Sequence, residues 1–347
     1  MRFLLLFVLF VVSSHTTLGQ VSNVKDLLLR MYNAESDEAF MNAFHDVQGI
    51  SLETLNAEND SVRYLYHYCY AAGLEMIDGD RALKIQHIHK ALQIRETTMG
   101  IFSSEYIELL WALGQEWENS NIDQAIATYE SALIKGQYLY IQDKNDPTVR
   151  HWYGQCLMSL AHCYEVKQYH AQVVQAYWAA FSLQKDSYKE DDANAYMPMY
   201  LLSSYYSEQC HDYENSISVM AVTMQYIKEH EGENNKRYAE CLYHIAANLG
   251  KQNKIDQAIE SYKKAISILR ICNLDYDEDM LLNYRNLFLS YIKLGNIDEA
   301  MKLRTIMEDC YRHNNQITDY YNLLIAAGKV VPKAKVQLYD KKILKQK

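Results

Sequence analysis

The sequence predicts an all-α chain in which antiparallel helix hairpins stack on one another in a row. Three observations predict it. A position eight residues into the first helix of each hairpin recurs at Ala72, Leu113, Ala161, Ser203, Ala246 and Phe288, at spacings of 41, 48, 42, 43 and 42 residues. Nineteen residues further on come Ala91, Ala132, Ala180, Val222, Ala265 and Met307, with the aromatics Tyr129, Tyr177 and Tyr262 at plus sixteen. The 347 residues include only 3 prolines and 12 glycines against 49% hydrophobic residues, which favours long helices over strands and turns. A single hairpin cannot bury its apolar face alone, so such a period implies stacking.

The chain divides as follows. Residues 1–19 read as a signal peptide: Arg2 gives a positive start, Phe3 to Val12 is an apolar run, and Thr17-Leu18-Gly19 places small residues before a cut between Gly19 and Gln20. The run is too short to span a bilayer, so the mature chain is expected to carry no membrane span and to be exported to the periplasm or envelope. Residues 20–60 hold a capping helix pair, Asn23 to Tyr32 and Asp37 to Val47, with Ser36 as an N-cap and a loop from Asn56 to Asp60. Residues 61–312 hold six hairpins. The spacing of 48 marks an insertion around Tyr138 to Asp146, after which Asp146-Pro147 restarts a helix. The fourth hairpin departs most, with Cys210 at the turn-glycine position, and Asn215 and Val222 where alanines are expected. Ile317 to Ala327, within residues 313–328, reads as a capping helix stopped near Gly328. Residues 329–347 form a Lys-rich tail.

The clearest hairpins lie between Asn235 and Arg312. They turn at Asn253 and Gly295, place Ala246, Ala258, Ala265 and Ala300 where helices approach, and fill the gaps with Leu249, Tyr262 and Tyr291. This pattern resembles the tetratricopeptide repeat, in the roughly 42-residue form of kinesin-light-chain-like arrays. The resemblance implies a right-handed superhelical αα solenoid whose first helices line a concave binding face. The leader and general style resemble exported envelope proteins of the Bacteroidetes. Asp60-Ser61-Val62 resembles their O-glycosylation sequon, with Ser61 the acceptor.

Composition excludes some partners. The formal charge is −10; removing Arg2 with the leader and six net positive charges with the tail leaves −17 for the body. That sign argues against nucleic acid, whose phosphates need a cationic face, and is compatible with basic peptides. The seven cysteines, at 69, 156, 163, 210, 241, 272 and 310, are odd in number and irregularly spaced. They read as core residues rather than a disulfide framework.

No catalytic spacing survives inspection. There is no G-x-S-x-G elbow, phosphate loop, G-x-G-x-x-G or C-x-x-C, and His230-Glu231 lacks the second His of a zinc-protease helix. His151, Cys156, His162, Cys163 and His170 share one hairpin without a known ligand spacing. The reading is therefore non-enzymatic, with no cofactor and no metal.

What the array resemblance implies is a protein or peptide partner on the concave face. The positions it puts there include Tyr66, Cys69, Met76 and Ile77; Ile107, Leu110 and Trp117; Met158 and His162; Tyr200; Tyr243; and Arg285. Of these, Tyr66, Met76, Trp117, Met158, His162, Tyr200, Tyr243 and Arg285 are the candidate contacts. The Asn that clamps a chaperone carboxylate in some arrays is absent: Gly73, Gly114, His162, Ser204, Ala247 and Leu289 stand there. Only Asn286 matches the Asn that kinesin-light-chain-like arrays carry two residues before the anchor. Two other readings stay open. One is the sensor region of an envelope signalling system. The other is a glycan or small-ligand binder in which Trp117 and the tyrosines stack on sugar rings.

Overall fold

The structure, a computed structural model, describes residues 23–185 and 196–330. The proposed leader, its cut at Gly19 and Gln20, and most of the Lys-rich tail lie outside the described residues. Helices account for the described elements, and no strand occurs among them. The chain falls into two compact units divided near Ser187.

The N-terminal unit begins with α1 (Asn23–Tyr32), α2 (Asp37–Gln48) and a short α3 (Leu52–Asn56). Three hairpins follow: α4 (Asp60–Met76) with α5 (Arg81–Ile94), α6 (Ser104–Glu118) with α7 (Ile122–Gln142), and α8 (Pro147–Val166) with α9 (His170–Gln184). The C-terminal unit pairs α10 (Met197–Ser204) with α11 (Tyr213–Glu231) and α12 (Lys236–Lys251) with α13 (Ile255–Ile271). Then α14 (Glu278–Leu294) packs on α15 (Ile297–Lys302) and α16 (Arg304–His313), and α17 (Ile317–Val330) closes the described chain.

Local chemistry sets these starts. The side chains of Ser36, Ser51, Asn59, Asp80, Ser103, Asn121, Asp146, Asp212, Asn235 and Asp277 each accept a backbone N–H of the first turn that follows. Most turns between paired helices use a left-handed residue, though the one between α6 and α7 does not. Gln168 (φ 59°), Asn253 (φ 63°) and Gly295 (φ 71°) supply it, each seven residues after its anchor. Packing follows the period. Ala91, Ala132, Ala180 and Ala265 are fully buried, as are Ala161 and Ala246 on the first helices. Tyr129, Tyr177 and Tyr262 fill the seams beside them.

Several expectations need correction. The loop placed at Asn56–Asp60 is shorter, because α3 reaches Asn56 and Asp60 already opens α4. Ser61 therefore sits exposed in a helical first turn. Much of the insertion at Tyr138–Asp146 is helix: α7 runs on to Gln142. The last helix continues through Gly328 to Val330. The second helix of the sixth hairpin breaks at Leu303.

The fourth hairpin is out of register by one residue, and the cause is visible. A π-helical turn over Tyr205–Gln209 inserts one residue between the anchor Ser203 and the turn. The left-handed turn residue is accordingly His211 rather than Cys210. Val222 is 49% exposed, and Thr223 takes the fully buried position. Ser203 and Ser216 close the gap between the helices with hydroxyl hydrogen bonds, at 2.8 Å between the hydroxyls and 2.8 Å from Ser216 to the Ser203 carbonyl.

Candidate functional site

Tyrosine–glutamate pairs stitch neighbouring helices throughout. Tyr129 donates to Glu118 at 2.5 Å and Tyr177 to Glu165 at 2.7 Å, each from the second helix of a hairpin to its first. Tyr68 on α4 donates to Glu108 on α6 at 2.6 Å, and Tyr200 on α10 donates to Glu240 on α12 at 3.1 Å. These two link successive first helices. A ring buries apolar area while its hydroxyl needs a partner, and a carboxylate on the facing helix provides one.

In the N-terminal unit the linked first helices leave space between them. Here α6 packs directly on α8, where Trp111 donates its indole N–H to Ser159 at 3.1 Å and lies 5.3 Å from Trp152. Between α4 and α6 there is instead a cleft of about 650 Å³, bounded by the α1–α2 turn, α4, α5 and α6. Its floor is made of small or short side chains: Cys69, Ala71, Ala72 and Ala112, with Ile88 and Leu109. Phe40, Tyr68, Met76 and Trp111 form the walls. Small residues at facing positions cannot fill the gap between two helices, so the space stays open. Gly73 points the other way, where a Cβ would strike the Phe44 ring at 2.3 Å, and so ties α4 to α2.

Polar groups are few, and most of them are exposed. Lys84, on α5, forms ion pairs with Glu75 and Glu116. Arg81 reaches the same Glu116 at 3.2 Å. Glu35, Ser36 and Asp37 stand exposed at the mouth. Glu108 lies deep. Burial pushes its carboxyl up to about 8, against the Tyr68 hydrogen bond and the Arg95 charge, which favour the ionised form. Burial and the adjacent Glu108 hold the Tyr68 hydroxyl well above its ordinary range.

The sequence-derived contacts fare unevenly. Met76 lines the cleft, as does Cys69. Tyr66, at 5% exposure, and Met158, at 9%, are core side chains, so neither offers a contact face. Ile107 and Leu110 are buried too. Trp117 is half-buried with its indole N–H lacking a partner. His162 is exposed near Glu165. In the C-terminal unit Tyr200 and Tyr243 are half-buried in seam hydrogen bonds, and Arg285 is exposed. Residues the period did not single out, above all Trp111, Ala112, Glu108 and the 34–37 turn, complete the cleft. The tryptophan could have been found as an aromatic three residues from Glu108 on one helical face.

Other clusters do less. Cys156 and Cys163 are buried thiols pushed up by desolvation, and no three His, Cys, Asp or Glu side chains among the described residues come together to hold a metal. His67 and His87 meet at 3.2 Å through their Nδ1 atoms, and burial keeps both neutral, at about 3 and about 4. The cysteines are free thiols. No described helix is long and apolar enough to cross a membrane.

No protein-family model matches this sequence, and no curated protein matches it. Solved structures do. The apo form of RapI is 14% identical over 92% of this chain and 85% of its own, with a TM-score of 0.61. Aspartyl phosphate phosphatase F from Bacillus subtilis is 13% identical over 95% of this chain and 94% of its own, with a TM-score of 0.50. A putative kinesin light chain from Podosopora anserina with nearly identical TPR-like repeats is 11% identical over 61% and 96%, with a TM-score of 0.47. At such identities the likeness concerns fold, and activity does not travel with it. In fold, this chain is a tetratricopeptide-type array of helix hairpins.

Proposed function

We propose that the chain is a non-enzymatic scaffold for protein–protein interaction, and that it takes a peptide or a projecting protein segment in the cleft between α4 and α6. The cleft itself carries this reading. It is concave, mostly apolar, and ringed by a few polar groups on rigid helices, the usual make-up of a recognition site. Its reactive groups are poorly suited to chemistry: the Cys69 thiol is pushed up to about 12 by burial, and Tyr68 is held protonated. Panning a displayed random-peptide library against the full chain tests the proposal. Selected peptides are expected to bind wild type and to lose at least tenfold in affinity on Ala72→Trp, which fills the floor. Equal binding to that variant would contradict it.

We infer export from Arg2, the apolar run and the small residues before Gln20. In that reading the scaffold works in the periplasm or cell envelope. Terminal sequencing of protein recovered from an envelope fraction is expected to begin at Gln20; a chain beginning at Met1 would contradict export by cleavage.

A further inference from the structure

The cleft has a definite electrostatic sign. Three carboxylates line it, Glu35, Asp37 and Glu75, against one cation, Lys84, while Glu108, pushed up to about 8 by burial, is mostly uncharged near pH 7. That cation is already held between Glu75 and Glu116. Arg95, whose charge acts on Glu108, is also occupied: its guanidinium lies 3.4 Å from Glu105 and 4.5 Å from the Tyr64 ring centre. Glu35 and Asp37 are exposed at the mouth and enter no ion pair among the described residues. Asp37 opens α2, where the helix dipole favours an acid, but Glu35 precedes the cap and has no such reason. The apolar floor and the acidic mouth adjoin, since Phe40 and Met76 line the same cleft as Glu35 and Asp37.

Resting on the reading of this cleft as a peptide site, we propose that its ligand is a segment in which a large apolar side chain stands next to lysine or arginine. The apolar group enters above Ala72 and Ala112, between Met76 and Trp111. The cation meets Glu35 and Asp37 at the mouth. Attraction of this kind acts at the surface, so it favours encounter and selectivity and weakens with salt. A neutral or acidic segment of the same shape fills the floor equally well and lacks the mouth contact.

The test uses three acetylated, amidated, fluorescein-labelled nonapeptides that differ only beside a central tryptophan: two lysines, two glutamines or two glutamates. Anisotropy titrations on the full chain are expected to rank them lysine, glutamine, glutamate, with about tenfold between the first two and a smaller gap in about 0.3 M salt. The surface double variant Glu35→Lys, Asp37→Lys is expected to invert the order. Ala72→Trp and Met76→Arg, both checked for helicity, are expected to abolish binding of all three. Equal affinities that Ala72→Trp and Met76→Arg still abolish would overturn the charge inference and leave the cleft as the site. Binding untouched by those two variants would overturn the cleft reading as well. No saturable binding of the lysine peptide would overturn the inference outright.

Discussion

The pairs Tyr68–Glu108 and Tyr200–Glu240 are the same device used twice. Each spans forty residues and joins the first helices of successive hairpins, one pair in each unit. Their surroundings differ. Beside Tyr68 stand Ala71, Ala72 and Ala112, and a cleft opens. Tyr200 also reaches the Arg237 carbonyl at 3.4 Å and lies 5.4 Å from the His244 ring. Tyr243, one residue from His244, accepts from Asn286 at 3.3 Å. Large amphipathic side chains thus fill the C-terminal seam that alanines leave empty in the N-terminal unit. Charge differs as well. Burial raises both carboxyls. At Glu240, Asp279 adds to the rise, while Tyr200, Lys236 and Arg237 work against it. Glu108 rises to about 8. The repeat sets which helices touch, and the side chains between them decide whether the contact is a seam or a site.

The comparison can be broken most severely through register. Thr223→Asp is expected to cost on the order of 3 kcal/mol or more, because Thr223 is fully buried, while Val222→Asp stays within about 0.5 kcal/mol. Urea unfolding of the two variants measures the difference, and equal losses would return the fourth hairpin to the plain period. Next comes close approach. A Cβ on Gly114 would lie 2.4 Å from the Tyr129 ring, so Gly114→Ala is expected to lose about 2 kcal/mol. Its C-terminal counterpart, Ala247→Gly, is expected to lose about 1 kcal/mol from helix propensity alone. Thermal melts of both separate the two costs.

Protonation sharpens the contrast further. The folded value of Glu108 lies above its ordinary 4.5, so folding takes up a proton between about 4.5 and 8. Stability from this group is full below that window and falls as pH rises through it. Glu108→Gln keeps an acceptor for Tyr68 and removes the slope. The variant is expected to match wild type to within about 1 kcal/mol near pH 5 and to exceed it by about 4 kcal/mol at pH 8.5. Glu240→Gln is expected to show the same direction with a shallower slope. Denaturant midpoints across pH 5 to 9 report both. The smallest effect concerns ion pairs. Lys84→Met, at a site shielded between Glu75 and Glu116, is expected to lose about 1 kcal/mol, against about 0.3 kcal/mol for Lys251→Met, whose partner Glu208 is mostly exposed. Matched melts at low and high salt distinguish them.

Much of the fold was legible because the period is a packing rule. An alanine every repeat marks where helix axes converge, and Ala161, Ala246 and Ala265 are fully buried as that rule requires. Caps at Ser36 and Asp146 were legible for a local reason, since a side chain satisfies N–H groups two or three residues on. The π-helical turn was not read as such, because a one-residue shift shows in the sequence only as a spacing of 43 and as misplaced residues at Cys210, Asn215 and Val222, which substitutions would mimic. The site was less legible than the fold. Counting from the anchor gave Met76 and Cys69, which line the cleft, but also Tyr66 and Met158, which are core side chains. A cleft is a property of what is missing between two helices. Ala72 and Ala112 read as ordinary helix formers until α4 and α6 are seen to face each other.

Hydrogen–deuterium exchange of the full chain with and without the lysine-flanked nonapeptide tests the central claim most directly. Added protection is expected at residues 34–40, 68–76 and 104–115, with none at residues 197–251 where the equivalent seam is filled. Protection confined to 197–251, or its absence from 68–76, would contradict it.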